Sequence, residues 1–457
     1  MTMEQSFKLF LLLLIHILPL TSLCSPVPPN FPPNALPTKS GYLPINPTTG
    51  SAMFYAFYEA TRPTTPLPTT PLLVWLQGGP GCSSMIGNLF ELGPWRFSDG
   101  SFELNPGAWN HLFGLLFLDS PIGTGFSVAP QEEEIPNNQT KVARHLHIAL
   151  TSFLLSNPPF ISRPLYITGE SYAGKYVPAA AFYILQENKA GQKTKLNLRG
   201  VAIGDGLTHP EVQVQVHADT AYFMGLMNRR QKAHLEELQR AAVRLVREQR
   251  WADATTMRNE VLDWLQNATG LATLYDLRRQ RTYETEPVGE FLRQEKVAKT
   301  LGVKEGVVWE ECSGLVGGRL HEDVMKSVRW MLEAVVREIR VFLYTGEFDL
   351  RDGVSGTVAW LEGMEWEGLQ GWMAAERDVW VVGQAVAGYI QTWSNLTQVV
   401  VRGAGHLVPA DQAVNSQAMI QDWVLQTESF GGSGRKQRTK FKGSRGRKQR
   451  TKFKGSH

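Results

Sequence analysis

The residues best placed to do chemistry lie at the ends of three short apolar runs. Residues 165–178 read LYITGESYAGKYVP, a run that ends in Gly169 and Glu170 and delivers Ser171 into a turn of small residues before a helical pattern starts. A strained strand-to-helix turn of this kind lifts a serine hydroxyl clear of a sheet as a nucleophile. Ala173 stands where the general pattern has glycine, and it is still small enough for the turn. The alternative is a tight turn whose serine only caps the helix. Two further runs decide against it. Residues 341–349 (VFLYTGEFD) place Glu347 and Asp349 just beyond a second run, and residues 399–409 (VVVRGAGHLVP) place His406 just beyond a third. A serine hydroxyl is a poor nucleophile until a base takes its proton. His406 is that base, and Asp349 orients the imidazole and stabilises its charged form.

Acyl transfer also needs donors for the oxygen that becomes negative. Residues 75–84 (WLQGGPGCSS) follow another apolar run and are rich in glycine. Glycines let backbone N–H groups approach a developing charge. A phosphate-cradling loop would end in Lys-Ser/Thr, which this segment lacks.

The elements that must position these groups can be read from the pattern. Residues 53–60 have strand character, and buried-strand runs recur at 72–76, 115–118, 165–168, 201–203, 341–344 and 399–401 with helical patterns between them. Strands alternating with helices predict an α/β fold with a mostly parallel central sheet and helices on both faces. A stretch at about 210–300 differs. Leu235, Leu238, Ala242 and Leu245, then Val261, Trp264 and Leu265, recur at helical spacing. It reads as a helical insertion that either caps a site or packs on one face.

The chain has 457 residues, 43% hydrophobic and 19% charged, which excludes global disorder, and no periodic glycine or sustained heptad is present. The net charge of +3 hides an asymmetry: residues 433–457 carry 11 Lys/Arg and no acid, leaving 35 Lys/Arg against 43 Asp/Glu elsewhere. The body is acidic, so no nucleic-acid partner is expected. The basic tail repeats RKQRTKFKGS at 435–444 and 447–456 and is read as a disordered, solvated extension. Lys8, an apolar run over 10–18, Pro19 and small residues predict a secretory signal peptide over 1–24. No membrane span is expected. Residues 25–432 then form the folded domain, behind a Pro-rich lead-in. Of three cysteines, Cys24 leaves with the signal, and Cys82 and Cys312 are expected to form one disulfide in an oxidising compartment. Sequons at Asn138, Asn267 and Asn395 fit that compartment. No metal or other cofactor is expected.

Taken together, WLQGGPGCSS, NPGAWN, LLFLDSPIGTGFS, GESYAGKYVP and GAGHLVPADQ resemble the serine carboxypeptidase family, in detail its plant carboxypeptidase-like members, from Ser40 to about Trp423. The resemblance implies the α/β-hydrolase fold with a helical cap. It implies Ser171 as nucleophile, Asp349 as acid, His406 as base, and the N–H groups of Gly79 and Tyr172 as oxyanion hole. In the family the substrate's terminal carboxylate is held by an Asn and two glutamates. The glutamates match Glu91 and Glu170. Gln77, beside Gly78, stands where the family has Asn and is one methylene longer. Glu347 stands where the family often has Asp, and Cys82 and Cys312 match cysteines that are disulfide-linked in relatives. The implied substrate is the C-terminus of a peptide or protein, in an extracellular or vacuolar setting. Glutamates that bind a carboxylate must keep protons, so an acidic optimum is expected. Two other readings share the scaffold: an acyltransferase fed by a sugar ester, and a non-catalytic binding protein. Glu170 favours the peptidase over the first, since such acyltransferases often carry Asp there, and the complete triad argues against the second.

Overall fold

A computed structural model describes residues 30–191, 194–427 and 430. The expected signal peptide and basic tail lie outside the described residues. The main sheet has ten strands: β1 (Lys39–Asn46), β2 (Ser51–Tyr58), β3 (Leu72–Leu76), β6 (Gly114–Leu118), β7 (Leu165–Glu170), β8 (Leu198–Gly204), β9 (Arg340–Gly346), β10 (Asp378–Val382), β11 (Ala385–Trp393) and β12 (Leu396–Val401). Strands β4 (Trp95–Ser98) and β5 (Ser101–Leu104) form a separate hairpin. The order across the sheet is β1-β2-β6-β3-β7-β8-β9-β12-β11-β10. The six strands from β6 to β12 are parallel, and the flanks at both edges are antiparallel.

The central strands are apolar throughout because each of their faces is covered. Alternate side chains enter two different cores. Leu72, Val74, Leu116, Ile167, Val341 and Leu343 pack on one face with the Gln139–Ser156 and Ala173–Lys189 helices. Leu73, Trp75, Phe117, Tyr166, Phe342 and Tyr344 pack on the other with the Ala413–Leu425 helix.

Between β8 and β9 the described chain is helical and carries no strand. The Arg229–Arg247 and Trp251–Thr269 helices pair, and Leu235, Ala242, Val261 and Leu265 form a third core between them. A capping box closes the start of the first: Asn228 accepts from Gln231 N, and the Gln231 side chain accepts from Asn228 N. Gly270 ends the second in the left-handed conformation.

Candidate active site

Because β3, β7, β9 and β12 run parallel, their C-terminal ends meet at one edge of the sheet, where open α/β sheets place their sites. Ser171 leaves β7 with φ +60°, a conformation non-glycine residues rarely adopt. The turn is held by Ser171 N donating to Gly204 O and by Gly174 N and Leu207 N donating to Ser171 O, each at 2.9 Å. The Ala173–Lys189 helix follows at once. Gly78 makes the close approach to this turn possible: a Cβ there would lie 2.6 Å from Tyr172 N and 2.8 Å from Glu170 O.

His406 Nδ1 donates to Asp349 Oδ2 at 2.8 Å, and both side chains are buried. Among the described residues His406 Nε2 has no hydrogen-bond partner. Asp349 Oδ1 accepts from Arg351 N (2.7 Å), which fixes the carboxylate. Glu347, the other acid beyond β9, turns away: its Oε2 accepts from Gly403 N. The Tyr275 ring stacks on the imidazole at 4.5 Å, and Tyr275 O accepts from His406 N (2.7 Å).

Gly79 and Tyr172 line the same cavity as Ser171, and among the described residues neither backbone N–H donates a hydrogen bond. They are available to a developing oxyanion. Their loop is anchored on both sides. Asp119 accepts from Ser83 Oγ (2.7 Å), Ser84 N (2.8 Å) and Phe126 N (2.9 Å), and Cys82 is disulfide-bonded to Cys312.

Gln77, Glu91 and Glu170 form one buried group. Gln77 Nε2 donates to Glu170 Oε1 (2.7 Å) and Glu91 Oε1 (3.2 Å), while Gln77 Oε1 accepts from Trp75 Nε1 (2.9 Å). The longer amide therefore still joins both glutamates. Among the described residues Oε2 of each glutamate finds no donor. Burial pushes Glu91 up to about 7. Burial, and then the charge of Glu91, hold Glu170 well above the ordinary carboxylate range. Two adjacent carboxyls in a dry site cannot both ionise, so the pair retains a proton that can bind a third carboxylate.

Three residues at the site escape the sequence reading. Asp205 follows β8, and one oxygen of it lies within 4.8 Å of both the Asp349 carboxylate and a His406 ring nitrogen. Its Oδ1 accepts from Gly346 N (2.9 Å), and among the described residues its buried Oδ2 finds no donor. Burial and then Asp349 raise it well above its ordinary value, which favours its protonated form. An acid directly after the apolar run at 201–203 was the available signal. Tyr275 and Arg351 gave none.

The insertion reaches the site as well. A cavity of about 210 Å³ beside Ser171 is lined by Thr255, Arg258 and Asn259 of the Trp251–Thr269 helix, and by His321, Arg351 and Asp352. The sequons are apart from it: Asn267 is exposed on the same helix, and Asn138 and Asn395 are partly exposed. No described helix is long and apolar enough to cross a membrane.

Comparison with known proteins gives a consistent picture. The family model described as "Serine carboxypeptidase" matches residues 28–426. Serine carboxypeptidase-like 50 of Arabidopsis thaliana is 55% identical, over 96% of this chain and 98% of that protein. A probable serine carboxypeptidase CPVL of Dictyostelium discoideum is 35% identical, over 86% of this chain and 79% of that one. Among solved structures, Kex1(delta)p, a prohormone-processing carboxypeptidase from Saccharomyces cerevisiae, aligns with a TM-score of 0.77 at 25% identity, over 87% of this chain and 93% of that chain.

Proposed function

The chain belongs to the serine carboxypeptidase family, and from that premise we propose that it removes single amino acids from the C-terminus of peptides or proteins through an acyl-enzyme on Ser171. The observation that carries the reading is the buried Gln77–Glu91–Glu170 group at the residue before Ser171, together with the His406–Asp349 hydrogen bond. A hydrolase with no need to recognise a free carboxylate has no use for two buried glutamates at its nucleophile.

His406 Nε2 takes the Ser171 proton as Oγ attacks the last peptide carbonyl. Gly79 N and Tyr172 N receive the oxyanion. His406 returns the proton to the leaving amine, and the C–N bond breaks. Throughout, the protonated glutamate, held in place by the Gln77 amide, binds the leaving residue's carboxylate. Water, deprotonated by His406, then attacks the acyl ester, and Ser171 Oγ leaves with the proton. The Cys82–Cys312 disulfide supports a setting in the secretory pathway, extracellular or vacuolar.

The test compares wild type with Ser171→Ala on N-blocked dipeptides at acidic pH. Release of the C-terminal amino acid by wild type alone is the expected result. No release, despite labelling of Ser171 by a fluorophosphonate, would replace this reading with acyl transfer to an alcohol.

A further inference from the structure

The cavity beside Ser171 carries chemistry that the triad and the carboxylate group leave unused. The leaving residue occupies the side of Gln77, Glu91 and Glu170, none of which lines this cavity. The cavity therefore receives the side chain of the residue that stays on the enzyme, the penultimate one of the peptide.

Its lining is mostly polar, with Leu207 and Val324 as its larger apolar members. Two arginines share one acid there. Arg258 Nη2 reaches Asp352 Oδ1 at 3.1 Å, with both side chains buried. Burial alone would raise Asp352, but Arg258 and then Arg351 hold it below its ordinary value, so it is ionised and already paired. Arg351 Nε lies 3.7 Å from Asp352 Oδ2, and among the described residues the Arg351 side chain donates no hydrogen bond. Its guanidinium lies over the Tyr275 ring at 5.3 Å. Of the other titratable groups nearby, the exposed Asp263 attracts Arg351 but forms neither an ion pair nor a hydrogen bond with it among the described residues, and the rest are engaged elsewhere. Asp349 is sealed and bonded to His406, Asp205 is turned to Asp349, and His321 Nε2 is occupied by Ala252 O at 3.2 Å. The Arg351 side chain is 29% exposed, against 3% for Asp352 and 0% for Asp349. The surface offered to a ligand is therefore a set of guanidinium N–H donors with the acids behind it. A partly buried guanidinium without acceptors is costly unless a ligand supplies them.

We propose that this cavity selects peptides whose penultimate residue is acidic, with Arg351 as the specificity-determining residue. The inference rests on the carboxypeptidase reading above and adds the substrate class to it.

The experiment measures kcat/KM for N-blocked Glu-Phe, Gln-Phe, Ala-Phe and Lys-Phe at about pH 5.5, above the ordinary glutamate pKa of about 4.3. Wild type is expected to prefer Glu over Gln by roughly tenfold, the advantage of a charge-assisted hydrogen bond, and to take Lys worst. Arg351→Gln is expected to bring the Glu-to-Gln ratio near one, and Arg351→Lys to retain part of it. A wild-type ratio of one or below, with Ala-Phe cleaved, overturns the proposal and leaves the carboxypeptidase reading standing. Failure to cleave any of the four overturns both. The wild-type ratio decides the matter even if Arg351→Gln does not fold.

Discussion

Glu91→Gln probes the carboxylate site through its pH dependence. Glu91 is buried in contact with Gln77, and burial raises it from 4.5 to about 7. The difference, 7 − 4.5, corresponds to about 3 kcal/mol between its protonated and ionised forms. An acid raised in this way keeps its proton below about 7 and there donates it in a hydrogen bond to the substrate carboxylate. As pH rises through 7 it ionises and repels that carboxylate. One such ionisation lowers kcat/KM about tenfold per pH unit above the pKa, so wild type at pH 8 falls about tenfold below its plateau on an N-blocked dipeptide. An N-blocked ester without a terminal carboxylate has no need of that proton and keeps its rate to pH 8. The amide introduced by Glu91→Gln cannot ionise, so the variant's profile on the dipeptide flattens between pH 6 and 8. Stability follows the same proton. Between pH 4.5 and 7 the folded chain binds more of it than the unfolded chain, so Glu91 costs stability as pH rises. Glu91→Gln therefore gains on wild type in unfolding free energy, read from denaturant titrations between pH 5 and 8, by at most about 3 kcal/mol. The same alkaline limb for peptide and ester, or a tenfold fall that survives in Glu91→Gln, would refute the reasoning.

Four other variants test the surrounding geometry. Asp205→Asn keeps a donor toward Asp349 and is expected to retain kcat/KM within about threefold, whereas Asp205→Ala loses about tenfold or more, the value of a hydrogen bond to a charged group. Gly78→Ala places a methyl 2.6 Å from Tyr172 N, so steady-state kinetics should show kcat reduced about a hundredfold through the displaced oxyanion donors. Joint replacement of Cys82 and Cys312 by Ser removes a cross-link between residues 230 apart, and urea unfolding should show a loss of about 2–5 kcal/mol.

Much of the architecture is legible in the sequence because the parallel strands are buried on both faces. The runs at 72–76, 115–118 and 341–344 are uninterrupted apolar segments and lie within β3, β6 and β9. The edges are harder to read. Strand β1 contains Gly41 and Pro44 and alternates only weakly, and β10 and β11 carry exposed side chains such as Val379 and Tyr389. Strands this close to solvent lack the continuous signal of the centre. The triad types and their order are local features of strand ends, so Ser171, Asp349 and His406 stand out. The partners that come from loops do not. Tyr275 reaches His406 only because the chain after the Trp251–Thr269 helix folds back onto the loops that follow β9 and β12, and no spacing encodes that return. Arg351 looks in sequence like any charged loop residue. Its character comes from sharing Asp352 with Arg258, which lies 94 positions before that acid in the chain.

The central claim is tested most directly by time-resolved mass spectrometry of a ten-residue peptide incubated with wild type and with Ser171→Ala. The account predicts a ladder of products shortened one residue at a time from the C-terminus with wild type, no shortening with Ser171→Ala, and none for the same peptide with an amidated terminus. Internal cleavage, shortening from the N-terminus, or equal attack on the amidated peptide would contradict it.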